Sequence, residues 1–197
     1  MLHSRANGEL MRTTHRSLAG LAALTCISAL LAALPLHAAG EPLAIGRLAP
    51  PFRLQDQTGQ WTTLEQLKGK WVVLYFYPKD NTPGCTTEAC EFRDNIFAFR
   101  REDVAVYGVS VDDVESHKSF AEDQHLPFPN LADPSKKTAA AYGVLYKAMG
   151  IMELARRETF VVDPDGKIAK HYRDVNPRGH SQRVLADLKM LRTPRTP

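Results

Sequence analysis

Trp71-Val72-Val73-Leu74-Tyr75-Phe76-Tyr77-Pro78-Lys79-Asp80-Asn81-Thr82-Pro83-Gly84-Cys85-Thr86-Thr87-Glu88-Ala89-Cys90 is the stretch on which the fold turns. Its first seven residues are a near-continuous apolar run rich in β-formers, and Pro78 ends it. That pattern suits a central strand buried on both faces. Lys79 to Gly84 reads as a loop. From Cys85 a helix is expected, because Ala89, Phe92, Ile96 and Phe99 recur at helical spacing, with Glu88 early and Arg100-Arg101 late to suit the helix dipole. Open α/β sheets place their sites at the carboxyl ends of strands. Here that position holds a cysteine in the first turn of the following helix.

The pattern continues outward. Val104 to Val111 reads as a second buried strand, Glu115 to His125 as a helix, and Lys136 to Tyr142 as a short helix. Leu126-Pro127-Phe128-Pro129 and Asp133-Pro134-Ser135 read as loops. Thr159–Val162 and Lys167–Tyr172 are strands joined by the hairpin turn Asp163-Pro164-Asp165-Gly166. Ser181 to Leu191 is a last helix, with Ser181 as its cap. Upstream, Phe52–Leu54 and Trp61–Leu64 flank Asp56-Gln57-Thr58-Gly59, a hairpin signal. Alternation first and a hairpin later predict an α/β fold with a mixed central sheet flanked by helices, plus an N-terminal hairpin extension.

The chain has 197 residues, 44% hydrophobic and 24% charged, with a net charge of +3. These values exclude a wholly disordered chain, a collagen and a polytopic membrane protein. No Lys/Arg stripe of the kind nucleic-acid binders carry is present. Residues 1–39 stand apart. Arg5, Arg12 and Arg16 precede the uncharged run Leu18–Leu36, which closes in small residues at Ala38-Ala39. This is the pattern of a cleaved signal peptide, with Met1 or Met11 as its start. It predicts a periplasmic or exported domain over residues 40–197. The alternatives are an uncleaved anchor facing the periplasm, since the run is about long enough to span a bilayer, and an organelle transit peptide. Cys26 lies within the run and reads as filler. Without Arg5, Arg12, Arg16 and Glu9 the charge falls to +1, which points to no charged partner.

Removing the leader leaves two cysteines, Cys85 and Cys90. A domain of about 158 residues buries roughly two-thirds of its unfolded surface, so it needs no disulfide staple. Unpaired N–H groups and the positive dipole end at a helix start favour a thiolate. Thr82 is placed to offer a hydroxyl to the same spot, and Pro78 and Pro83 stiffen the loop. Positions five apart on an intact helix have Cα atoms about 8.7 Å apart. A disulfide needs less than about 7 Å. If Cys85 and Cys90 bond, the first turns of the helix must unwind.

The segment resembles the peroxiredoxin active site, Pro-x-x-x-Thr-x-x-Cys, here Pro78, Thr82 and Cys85. It is most similar to the bacterioferritin-comigratory-protein or Q type, whose second cysteine lies five residues on, here Cys90. Arg157-Glu158-Thr159-Phe160 resembles the family's Arg-x-Thr-Phe strand, and Asp174–His180 resembles the approach to its last helix. The likeness runs from about Leu43 to Leu191, though Tyr142–Arg157 departs from the commonest form. The resemblance implies a thioredoxin-like fold and a thiol peroxidase acting on hydrogen peroxide and small organic hydroperoxides. It implies that Cys85 becomes a sulfenic acid, that Cys90 condenses with it to an intramolecular disulfide, and that a thioredoxin-like dithiol reductant restores both. Thr82 and Arg157 would hold the peroxide, with Arg156 the alternative arginine. It implies a monomer that is not membrane-embedded, with no metal, haem or flavin.

Other readings compete. A structural disulfide meets the helical-distance objection, and a zinc site lacks a nearby histidine. A thioredoxin-fold copper chaperone normally carries Cys-x-x-x-Cys; His171 and His180 keep that reading open. A disulfide oxidoreductase needs Cys-x-x-Cys. His117, His125, His171 and His180 read as solvated or ordinary, Trp61 and Trp71 as packing, and Glu88 as half of an ion pair whose partner the sequence does not show.

Overall fold

The computed structural model describes residues 43–193. The expected signal peptide, residues 1–39, lies outside them. Among the described residues nine strands and four α-helices, besides a 3-10 turn at Glu65–Leu67, follow in the order β1 (Arg53–Asp56), β2 (Trp61–Thr63), β3 (Trp71–Phe76), α1 (Pro83–Arg101), β4 (Val104–Ser110), α2 (Val114–Gln124), β5 (Asn130–Ala132), α3 (Lys137–Ala141), β6 (Leu145–Ala148), β7 (Met152–Ala155), β8 (Glu158–Val162), β9 (Ile168–Tyr172) and α4 (His180–Arg192).

Seven strands form one sheet in the order β2-β1-β5-β4-β3-β8-β9. β3, β4 and β5 run parallel, while β1–β5, β3–β8 and β8–β9 are antiparallel. The sheet is therefore mixed, as the order of elements predicted. The N-terminal hairpin is no separate appendage, because β1 pairs with β5 and carries the sheet to its edge.

β3 is central and buried on both faces, and its alternate residues feed two cores. Val73, Tyr75 and Tyr77 pack with Phe92, Ile96 and Phe99 of α1, Phe120 of α2 and Val184 and Leu188 of α4. Val72, Leu74 and Phe76 pack with Phe52, Leu54, Ala139, Tyr142, Val144, Phe160 and Ile168 on the other face. This alternation follows from the two-residue period of a strand. The Tyr75 ring stacks on Phe92 with centroids 4.6 Å apart, which fixes α1 across the end of β3.

Three parts depart from the expectation. β5 is three residues long and carries no legible alternation, yet all three are buried because β1 and β4 claim its two edges. β6 and β7 form a two-stranded sheet of their own in a stretch without strand signals. Ser181 is not the cap of α4. Gly179 holds that position, its N–H donating to Glu91 Oε1 at 2.8 Å, so a side chain of α1 anchors the start of α4. Ser181 is buried at the second position of the helix, and its hydroxyl donates to the Glu91 carbonyl at 3.1 Å.

Candidate active site

β3 delivers the chain at its carboxyl end to the loop Tyr77–Thr82, where Pro78 is half-buried. α1 then begins at Pro83, two residues earlier than its apolar spacing indicated. Proline suits the first helical position, since its missing N–H would have had no intrahelical partner. Thr82 precedes it with extended backbone (φ −91°, ψ 147°). Its hydroxyl does not cap the helix; it turns back to donate to the Lys79 carbonyl at 3.0 Å. Cys85 falls in the first turn, where the N–H groups of Gly84 and Cys85 have no helical carbonyl to bind. Its side chain is buried, with the residue 1% exposed.

Arg157 arrives from 72 residues away. The β3–β8 register pairs Phe76 with Glu158, which sets residue 157 beside the end of β3. Its Nη2 donates to Cys85 Sγ at 3.2 Å and its Nη1 to Glu88 Oε2 at 2.6 Å. The neighbouring Arg156 goes elsewhere: its guanidinium lies over the Tyr146 ring, 5.1 Å from the centroid. Of the two adjacent arginines, Arg157 is therefore the one brought to Cys85. Gly84 makes room for it, because a Cβ there would sit 3.1 Å from Arg157 Nη2.

Glu88, buried one turn beyond Cys85, is the ion-pair partner that the sequence left unnamed. Burial pushes its carboxyl up to about 7, although Arg157 pulls the other way. Its second oxygen, Oε1, is buried without a partner among the described residues. Burial also works against the charge of Arg157, but Glu88 and Cys85 together hold its pKa above the ordinary value. One guanidinium, itself partly exposed, thus joins a buried thiol and a buried carboxyl.

Cys90 lies on the same unbroken helix, half-buried, and both cysteines are free thiols. Its Sγ faces Gln124 Oε1 of α2 at 3.6 Å, while Arg93 Nη1 donates to the Gln124 carbonyl at 2.7 Å. No sequence signal marked Gln124, which stands 34 positions away at the end of α2. The histidines are less ordinary than expected. His117 and His180 are fully buried, and His180 Nε2 meets Thr159 Oγ1 at 2.8 Å. Burial, then Arg183 and Arg157, lowers the His180 pKa to about 4, so it is neutral near pH 7. His171 pairs with Glu158 at 2.6 Å.

A buried thiol at a helix start, contacted by an arginine beside a proline-flanked loop, has the arrangement suited to attack on an electrophile whose leaving group gains negative charge. Comparison with known proteins agrees. The AhpC/TSA family model matches residues 45–171, more than half of the chain. The chain is 43% identical over 150 residues to Peroxiredoxin Bcp of Bacillus subtilis, covering 75% of this chain and 96% of that protein. The crystal structure of a cysteine-to-serine mutant of Xylella fastidiosa PrxQ superposes with a TM-score of 0.73 at 35% identity, over 77% of this chain and 98% of that one. Bacterioferritin comigratory protein of Xanthomonas campestris, whose structures were determined to explain its alkyl peroxide reduction activity, gives a TM-score of 0.67 at 36% identity, over 71% and 90% of the two chains. The fold is thus the thioredoxin-like fold of the peroxiredoxins, and the chain belongs to the AhpC/TSA family as a peroxiredoxin, a thiol peroxidase.

Proposed function

We propose that Cys85 is the peroxidatic nucleophile, that Cys90 resolves it through an intramolecular disulfide, and that a thioredoxin-like dithiol recycles the pair. The Arg157 contact to the Cys85 sulfur, with the same guanidinium braced by Glu88, is the observation that carries this reading. The Cys85 thiolate attacks the terminal oxygen of a hydroperoxide. The S–O bond forms as the O–O bond breaks, and the alkoxide leaves and takes up a proton. Thr82 has already given its hydroxyl hydrogen to the Lys79 carbonyl. Its oxygen is therefore left as an acceptor for the peroxide O–H. Arg157 and the N–H groups of Gly84 and Cys85 are positioned for the charge that develops on the leaving oxygen. Pro78 and Pro83 limit water access to the loop.

The sulfenic acid then meets the Cys90 thiol, a disulfide forms, and water leaves. Both cysteines sit in an intact helix here, about 8.7 Å apart at Cα by helical geometry, so this step requires α1 to unwind at its start. Exchange with a dithiol returns both thiols. Hydrogen peroxide and small organic hydroperoxides are the substrates on this reading, in line with the alkyl peroxide activity of the Xanthomonas protein. A copper role is disfavoured by Arg157, whose positive charge lies 3.2 Å from the sulfur a cation would need. The leader over residues 1–39 belongs to the same proposal: its arginines, apolar run and small-residue exit support export to the periplasm, with sequencing of the mature N-terminus as the check.

The experiment is peroxide consumption coupled to a thioredoxin system. Cys85→Ser should abolish turnover. Cys90→Ser should oxidise once and then stop with that system alone. Sustained turnover by the first variant would remove Cys85 as nucleophile, and sustained turnover by the second would remove Cys90 as the resolving thiol.

A further inference from the structure

Behind the Cys85 loop lies a polar cluster that the chemistry above does not use. The buried Asp80 carboxylate accepts three hydrogen bonds, from the Tyr77 hydroxyl (2.7 Å), the Ser116 hydroxyl (2.7 Å) and His117 Nδ1 (2.8 Å). Because a carboxylate only accepts, Nδ1 carries the ring hydrogen. Tyr77 belongs to the loop, while Ser116 and His117 stand in the first turn of α2. The Asp80 N–H donates to Asp112 Oδ2 at 2.9 Å, and Lys79 Nζ meets Asp112 Oδ1 at 3.0 Å. Lys79 is the residue whose carbonyl takes the Thr82 hydroxyl hydrogen. Asn81, between Asp80 and Thr82, is left-handed at φ 58°. Asparagine is among the side-chain residues that adopt this region readily, which suits the turn between Asp80 and Thr82.

His117 is fully buried, and its Nε2 has no partner among the described residues. A buried polar atom left bare costs free energy, so packing alone would favour an apolar side chain there. We propose that His117 and Asp80 form a positioning pair for the peroxide reaction. Through the Lys79 carbonyl, the pair fixes the direction in which the Thr82 oxygen presents its lone pairs. The proposal rests on the reading of Thr82 given above and extends the machinery to α2, whose other end faces Cys90 through Gln124.

The test compares reduced variants by their rate constants with hydrogen peroxide and with iodoacetamide, and by their thermal midpoints. All variants carry Cys90→Ser, so that iodoacetamide reads Cys85 alone; it needs the Cys85 thiolate but no acceptor at Thr82. Asparagine sets an amide nitrogen near the Nδ1 position, and leucine sets none. His117→Leu should lower the peroxide-to-iodoacetamide ratio by about 10-fold, given that a misplacement of about 1 Å can cost about 100-fold. His117→Asn should recover most of that loss. Ser116→Ala, which removes one donor from Asp80 with little change in packing, should lower the same ratio by roughly 3-fold, and it serves if the leucine variant does not fold. Thr82→Ala calibrates the readout. An unchanged ratio in the His117 and Ser116 variants, with Thr82→Ala lowered, overturns the positioning pair alone. An unchanged ratio in Thr82→Ala overturns the underlying reading of Thr82. A loss that follows the thermal midpoint and is not recovered by asparagine also overturns the proposal.

Discussion

Glu88 lies between the two cysteines, inside the turns of α1 that must unwind for them to bond, and Glu88→Gln is the perturbation that tests what its burial does. In the folded, reduced protein its pKa is raised from 4.5 to about 7. In the unwound segment it meets water and returns to its ordinary value. The folded reduced form therefore holds up to one more proton than the oxidised form between pH 4.5 and about 7. The stabilisation this gives the reduced form is complete below pH 4.5 and is lost as pH rises through about 7. The shift corresponds to about 3 kcal/mol. For a two-electron couple, where about 1.4 kcal/mol is about 30 mV, that is roughly 70 mV. The midpoint potential of the Cys85–Cys90 couple should fall with pH about 30 mV per unit more steeply in the wild type than in Glu88→Gln, within this window only. Glutamine keeps the shape and an acceptor for Arg157, so the comparison isolates the proton. The assay is redox equilibration in thiol buffers from pH 5 to 8, with quenching by alkylation and counting of free thiols by mass. Parallel lines for the two proteins would refute the reasoning, because Glu88 would then keep its environment on oxidation or never bind the extra proton.

Two further outcomes follow from the geometry around Arg157. Arg157→Ala should slow sulfenic acid formation by about 100-fold or more, as loss of an oriented donor to a developing charge does, while Arg156→Ala, whose side chain lies on Tyr146, should change it less than about 2-fold; stopped-flow oxidation of each variant checks this. Gly84→Ala should displace the guanidinium, since the new methyl would sit 3.1 Å from Nη2. The expected result is a peroxide rate lowered by about 10-fold with a thermal midpoint near that of wild type, whereas an unchanged rate would mean Arg157 has slack at this contact.

β3 and α1 were legible in the sequence because each is long enough to show its period and each buries a full face. β5 was not, since three residues cannot display alternation and its strand character comes from the edges of β1 and β4. The β6–β7 hairpin was invisible for a related reason. Its turn is set by Met149 and Gly150 at positive φ, and its strands show no clean alternation of polar and apolar residues. In the site, Thr82, Cys85 and Cys90 were readable together because one loop and one helix hold them. Arg157 reached the site only through the β3–β8 register, and in the sequence it was singled out only by its likeness to the Arg-x-Thr-Phe strand, with Arg156 beside it as the alternative. Ser181 misled because serine before a helical pattern usually caps it. Here Glu91, 90 positions away, accepts from the Gly179 N–H at the start of α4, and Ser181 is drawn inward to the Glu91 carbonyl. The Asp80–His117 pair has no sequence signal either, because the two residues meet only when α2 packs behind the loop.

The central claim is that Cys85 and Cys90 act in sequence within one chain. Time-resolved intact mass of the reduced domain, after one equivalent of hydrogen peroxide, tests it most directly. The account predicts a brief gain of about 16 Da followed by a net loss of about 2 Da from the reduced mass, at a rate far above that of a free thiol. A lasting gain of about 16 Da with no loss of hydrogens, or oxidation no faster than a free thiol, would contradict it.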